Sequence, residues 1–560
     1  MLDTLARAGG QLQTILDSGA AVGGAAPQPA DPAQVADAVM RYRAYQALRE
    51  FRSKLYGCLA ARPDALFELA DAILCADHAV TSLVQLSLAA EFTRGHGALY
   101  DALGAGRIDQ EALAALLTQT LPPLIDGEQA RAWIGEHDVI DDGLLDAALA
   151  GLPGQEAAQV REACARWRRL RFAIDATPYP RPDAGCSPGR EHVHHDACRC
   201  DGTRKTIPGW EYQFAAAVGH LRTAWTALVD VERTTKAART NQTARQVLNL
   251  LRRLGAAGRD HGGVPLVILD AGYSAAALTA ALAGQPVHLL VRLPSGSVLY
   301  RDPVTWPGRN GRPPRHGIPV TCHNDPGAAN PEPDQSLILP DTPHYGTVRA
   351  DAWYPVHPLI HGDRGWFKDN WHGELPILRG TLLRVIVERL PDGRKPHKTM
   401  WLWHAGPAPL SLDELWRAYL ARFDEEHTYR FLKGALGLTT AKVRTPEQAD
   451  RWVRLVMAAY AQLLIARPLA ADLRRAWEKP RDPSRPLTPG RARRGFPSIR
   501  RQIGTPAHVA KPSAPGPGRP KGTTRGPAPR HPIPKKAANR AHHATPPRSS
   551  RVKSQAKLRF

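Results

Sequence analysis

The stretch "VPLVILDAGYSAAALTAALAGQPVHLLVRL", residues 264–293, decides the fold class. It opens on "VPLVILDAGYS" (Val264–Ser274), whose fully apolar run is the signature of a central strand buried on both faces. The run stops at Asp270. The small-residue segment "AAALTAALAG" follows and reads as a helix, and "VHLLVRL" (Val287–Leu293) reads as a second strand. Strand, helix, strand at this spacing predicts an α/β protein with parallel pairing.

Working outward from there, "TARQVLNLLRRLGAAG" (Thr243–Gly258) reads as an amphipathic helix closing on a glycine. Before it, "YQFAAAVGHL" and "TAWTALVDVERTT" read as strands. A further short apolar run in "RLRFAIDATPYPRPD" (Arg169–Asp183) is stopped by Asp175. From about 294 to 408 the chain is rich in Pro, Gly, Trp and short alternating runs, which predicts a β-rich insertion. Helix resumes at "SLDELWRAYLARFDEEHTYRFLKGAL", with Ser411 or Asp413 as N-cap, and continues through Thr445–Glu478.

The expected organisation has four parts. Residues 1–34 form a flexible N-terminus, 35–166 a helical domain, 167–480 an α/β domain with the insertion, and 481–560 a disordered basic tail. Charge supports the last boundary. The chain carries a net +21, and residues 481–560 hold twenty Lys and Arg against one acid, Asp482. That leaves the preceding 480 residues close to neutral. Such a tail suits a polyanion, most often nucleic acid. No apolar run reaches the roughly 20 residues of a membrane span. The N-terminus does not read as a signal peptide, and seven thinly spread cysteines do not read as a disulfide scaffold. A cytoplasmic, nucleoid-associated protein is expected.

Three acids stand out. Asp175 and Asp270 end apolar strands, and Glu426 lies within "YLARFDEEHTYRFLK" (Tyr419–Lys433). Strand ends of α/β sheets are where ligands converge, and carboxylate oxygens suit hard divalent cations. In the helical stretch, Tyr419, Arg422, Glu426 and Lys433 follow at steps of three, four and seven. That spacing predicts one helix face carrying all four. Asp183 competes for the place of Asp175, and Asp424 and Glu425 compete for that of Glu426. An ordinary i,i+4 ion pair between Arg422 and Glu426 is the bland alternative.

These motifs resemble a DDE transposase of the bacterial insertion-sequence type with the Y-R-E-K signature, and the wider sequence resembles actinobacterial transposases. Tyr419, Arg422, Glu426 and Lys433 match the signature at every interval, "DAGY" (Asp270–Tyr273) matches the second acid's motif and "IDAT" (Ile174–Thr177) the first. The resemblance runs from about 169 to 478. It implies an RNase H-like fold and metal-dependent cleavage of element ends followed by strand transfer into target DNA. Asp175, Asp270 and Glu426 would be the catalytic and metal-binding acids, with two Mg²⁺ or Mn²⁺ ions per site. Tyr419, Arg422 and Lys433 would contact DNA phosphate. A homodimer holding terminal repeats and target DNA is implied. The alternatives are a decayed or domesticated DNA-binding copy, or an RNase H-fold nuclease acting on another substrate.

Two further stretches invite binding roles. "PGPGRPKG" (Pro515–Gly522) resembles an AT-hook, in which Arg519 and Lys521 would enter a narrow minor groove. "CSPGREHVHHDACRC" (Cys186–Cys200) gathers three His and three Cys, but its C-x-C spacing departs from common zinc motifs and favours an ordinary hairpin loop.

Overall fold

The computed structural model describes residues 32–121 and 169–533, apart from 196–204, 220–223, 260–262, 305–312, 324, 326–328, 343, 391–398, 481–485, 512–519 and 523–525. The expected N-terminal linker up to residue 31, Arg519, Cys198 and Cys200 lie outside the described residues.

One large mixed sheet organises the protein. Its inner strands are β3 (Arg171–Pro180), β5 (Lys205–Ala217), β6 (Ala227–Thr234), β7 (Leu266–Leu269) and β8 (His288–Arg292). Strands β3 and β5, and β5 and β6, pair antiparallel, whereas β3, β7 and β8 run parallel to one another. The parallel strands need crossovers, supplied by α6 (Arg239–Ala256) and α7 (Ala275–Ala281). The run read as "stopped" by Asp175 in fact continues. β3 extends to Pro180 because β5 pairs with it along its whole length, and only its pairing to β7 ends at Ile174.

The β-rich region joins the same sheet. β14 (Met400–Ala405) pairs with β8, and β13 (Gly380–Val387), β12 (Gly346–Pro358), β9 (Val298–Arg301) and β10 (Pro319–Thr321) extend outward from it. β11 (Gln335–Thr342) pairs with β12, and at the opposite end β4 (Glu191–His195) pairs with β5.

Helices cover both faces of the inner strands. Alternation puts Phe172, Ile174, Val267, Leu269, Leu289 and Val291 on one face, in a core shared with Val247, Leu250 and Leu254 of α6 and Leu278 of α7. Ala173, Ile268 and Leu290 point the other way, onto Leu412, Leu415, Trp416 and Tyr419 of α9 (Leu412–Ala421). On that same face, Tyr212 and Phe214 meet α10 (Phe423–Gly434) and α11 (Pro446–Ala466) through a core containing Tyr429, Leu432, Val456 and Tyr460. A capping box at Thr445 and Gln448 sets the start of α11.

Of the expected helical domain over 35–166, residues 122–166 lie outside the described residues; the described part holds α1 (Pro32–Gly57), α2 (Pro63–Cys75), α3 (Leu83–Ser87), α4 (His96–Ala105) and α5 (Gln110–Gln119), with a small β1–β2 ladder (Leu59–Ala61, Arg107–Ile108). It shares one continuous core with α10 and α11.

Residues 489–503, expected within the disordered tail, form helix α12 (Pro489–Ile503), which buries Phe496 and Ile499 in that same core. Three of its arginines hold it to the body. Buried Arg493 donates to the carbonyls of Ile73 and His78, Arg500 pairs with Asp71 at 3.1 Å, and Arg494 pairs with Glu478 at 2.6 Å. Charge count alone could not reveal this, because these cations serve acids and carbonyls contributed by distant segments.

Candidate active site

The site is built on strand register. Ile174 pairs with Leu269, and Leu269 with Val291. The next residue on each parallel strand is therefore Asp175, Asp270 and Arg292, a single row where the parallel pairing of β3, β7 and β8 ends. Neighbouring strands lie about 4.8 Å apart. By alternation the row faces α9 and α10. The apolar runs Phe172–Ile174 and Leu266–Leu269 anchor the row in the core.

Each aspartate is held locally. Asp175 Oδ1 accepts from the Ala176 amide at 2.8 Å, and Asp270 Oδ1 accepts from the Gly272 amide at 2.8 Å. A Cβ at position 272 would stand 3.0 Å from Asp270 Oδ1, so glycine two residues on lets the backbone close against the carboxylate. Arg422 Nη1 donates to Asp175 Oδ2 at 3.1 Å.

The signature segment departs from the expected single helix. α9 ends at Ala421 and α10 begins at Phe423. At the junction Arg422 N bonds to Tyr419 O and Glu425 N bonds to Arg422 O, both i,i+3 contacts that tighten the turn. The tightening breaks the common face. Tyr419 is fully buried and Arg422 is 5% exposed, whereas Glu426 is exposed and Lys433 half-buried. Tyr419 lies beside the Arg292 guanidinium, and its phenol and the Phe423 ring flank Arg422, with centroids 5.6 and 5.1 Å from the guanidinium carbon. In this conformation Tyr419 cannot touch a phosphate.

Glu425, a rival for the third acid, points inward and is fully buried. Its Oε1 accepts from Tyr429 Oη at 2.5 Å, and the same hydroxyl reaches the Asp175 carbonyl at 3.2 Å. Its Oε2 has no partner. Burial and the charge of Asp175 push the Glu425 carboxyl well above the usual range. Burial is also the main cause that pushes Asp175 up to about 6, against the lowering effect of Arg422, with Asp270 and Glu426 adding repulsion. Glu426 is thus within electrostatic reach of Asp175.

A divalent cation fits this donor chemistry. The oxygens of Asp175, Asp270 and Glu426 are hard carboxylates, and their mutual repulsion is what a cation relieves. Among the described residues no three His, Cys, Asp or Glu side chains already stand close enough to cage one ion. Mg²⁺ commonly takes only one or two protein carboxylates, with water and substrate phosphate completing the shell.

Sequence reasoning missed Arg292 and Arg239. Arg292 falls out of the strand register. Arg239, which opens α6, pairs with Glu211 and reaches the Gly272 carbonyl at 3.4 Å, placing a second guanidinium beside the Asp270 turn. Only the topology brings either one here. Asp183, the rival first acid, pairs with Arg181 in the β3–β4 turn and lies outside the row. Lys521 is exposed.

A family model for the DDE superfamily endonucleases matches residues 54–145 and 136–357, more than half of the chain. The chain belongs to the DDE superfamily endonucleases. Membership implies phosphodiester hydrolysis. The matched residues of this DDE endonuclease include Asp175 and Asp270 and stop short of α9 and α10. No curated protein matches it in sequence. Among solved structures it is similar to a piggyBac transposase synaptic complex with hairpin DNA, at 10% identity and a TM-score of 0.35, over 84% of this chain and 82% of that one. Among the described residues no helix is long and apolar enough to cross a membrane.

Proposed function

We propose that this DDE endonuclease is a DNA transposase that cleaves element ends and joins them to target DNA, with Asp175, Asp270 and Glu426 as its catalytic acids. The observation that carries the reading is the register of Asp175 with Asp270, with Glu426 exposed on the helix packed above them. The strand order β6-β5-β3-β7-β8, three antiparallel strands followed by two parallel ones, supports the RNase H-like architecture.

Asp175, Asp270 and Glu426 would hold two divalent ions, Mg²⁺ or Mn²⁺, which when bound supply Lewis-acid activation of water, and later of a 3′-hydroxyl, toward phosphorus. The chain's own residues do the positioning. Gly272 fixes Asp270, and Arg422 with Ala176 fixes Asp175. Arg422 therefore acts on the acid first, and on DNA only if the α9–α10 junction moves. Lys433, half-exposed on the last turn of α10, and Arg292 at the end of the row supply positive charge for the phosphates flanking the scissile bond. Synapsis of two ends would call for a homodimer.

The test compares wild type with Glu426→Gln and Glu425→Gln on labelled DNA carrying the flanking terminal repeat, with and without Mg²⁺. Glu426→Gln should bind DNA and melt like wild type yet neither nick nor join it. Cleavage surviving in Glu426→Gln but lost in Glu425→Gln would move the third acid to Glu425. Absence of cutting by wild type with any divalent metal, on repeats shown to be correct, would overturn the enzymatic reading.

A further inference from the structure

β3 does not end at the acid it carries. It runs on from Asp175 to Pro180, and alternation keeps Thr177 and Tyr179 on the face that Asp175 turns toward α10. This outer half of the strand holds a loop. Tyr179 Oη donates to the Ala441 carbonyl, and the Arg181 guanidinium, just past the strand, donates to the Val443 carbonyl. Both donors are buried, and so are Ala441 and Val443. The residues that alternate with them, Lys442 and Arg444, are exposed.

α10 supplies a third cation. Glu426 and Arg430 are both exposed and stand four residues apart, which makes them neighbours on one helix face with Cβ atoms about 5–6 Å apart. From His427 to Pro446 the chain carries four Lys and Arg and no acid. Exposed arginines elsewhere, such as Arg245, Arg252 and Arg417, each pair with a carboxylate. Among the described residues no carboxylate pairs with Arg430, Lys442 or Arg444. At about 3.3 Å per residue, the loop's anchors at Tyr179 and Arg181 lie roughly 13 and 20 Å from Asp175 along β3. A duplex advances about 3.4 Å per base pair, so this reach equals about four to six base pairs.

We propose that Arg430, Lys442 and Arg444 form a phosphate track for duplex DNA, which leads from the acid row along the outer half of β3 and carries the backbone to about four to six base pairs from the scissile bond. The track itself stands on the geometry above; the choice of DNA as its polyanion rests on the proposed function.

The first arm of the test needs no catalysis. Binding of a labelled duplex is measured in chelator as a function of salt. Arg430→Gln, Lys442→Gln and Arg444→Gln together should leave the Tm unchanged and lower the log–log slope by about 3, roughly 0.9 per phosphate contact. Replacing the exposed Arg49 of α1, Arg501 of α12 and Lys511 beyond it by Gln should leave the slope as it is. An unchanged slope in the first variant, or an equal fall in both, overturns the track. The second arm locates it on the DNA. Neutral methylphosphonates about four to six base pairs from the nicked bond should weaken binding by wild type and leave the triple variant indifferent. Equal weakening of both proteins would overturn the path along β3. A lowered slope in a protein that cuts no DNA would keep the track and reject the nuclease reading, so the two failures are distinct.

Discussion

Arg422 Nη1 lies 3.1 Å from Asp175 Oδ2, so the first acid of the row is held by a guanidinium that is itself almost wholly buried between two aromatic rings. Removing one member of a buried pair leaves the other uncompensated. Asp175 keeps about a fifth of its side chain exposed, so the cost falls below that of a sealed pair. Arg422→Ala should lower stability by about 2 kcal/mol, with Arg422→Lys recovering part of it. Urea denaturation of the three proteins measures this. Equal midpoints would show that the pair carries no structural weight.

The raised pKa of Asp175 makes a signed prediction. Its folded value, about 6, exceeds the unfolded value near 3.9, so the folded state binds the extra proton between them. Metal-free stability is therefore favoured at low pH and lost as pH rises from about 4 through 6. Two units correspond to at most about 3 kcal/mol. In chelator, Asp175→Asn should be the more stable protein at pH 8, with its advantage vanishing toward pH 4. Thermal melts across that range decide it, and a pH-independent difference would contradict the assigned environment.

Metal should reverse that ranking. An ion bound only by the folded protein stabilises it by about 2.7 kcal/mol at a hundredfold excess over Kd. Mn²⁺ at pH 8 should raise the Tm of wild type and leave Asp175→Asn and Asp270→Asn unchanged. Equal shifts in all three would place the ion elsewhere.

Much of the α/β sheet was legible because its signals are local. The apolar run ending at Asp270, the small-residue helix and "VHLLVRL" define a strand–helix–strand unit by themselves, and the structure has it at 266–292. Asp175 was legible as the same kind of signal, although β3 runs past it because its antiparallel partner lies some forty residues downstream. The common face expected for Tyr419, Arg422, Glu426 and Lys433 does not form, and the break between α9 and α10 was not legible. Uniform helical spacing assumes 100° per residue, and the tightened turn at Arg422 breaks that assumption. Arg292 and Arg239 were missed because register and crossover bring them to the site. α12 was hidden by composition, since Arg493 and Arg500 answer carbonyls and an acid contributed by α2, far away in the chain.

Tyr419 offers a sharp contrast with the expected phosphate contact. Its hydroxyl is sealed beneath α9 and faces Arg292. Tyr419→Phe should leave duplex affinity and its salt dependence unchanged and alter stability by less than about 1 kcal/mol. A clear drop in the salt slope on this substitution would mean that the α9–α10 junction opens when DNA binds.

The tail gives the last prediction. A disordered basic arm could be lost with no effect on folding, but α12 places Phe496 in the core shared by α2, α11 and the sheet, and Arg493 on two carbonyls at the end of α2. Phe496→Ala should cost about 3–5 kcal/mol, the usual range for a fully buried phenylalanine. Neutralising Lys535 and Lys536 should cost nothing in stability and weaken duplex binding more as salt falls. Measuring both quantities on both variants separates the two halves of what composition presents as one segment. If Phe496→Ala melts like wild type and loses only DNA affinity, α12 belongs to the arm rather than to the core.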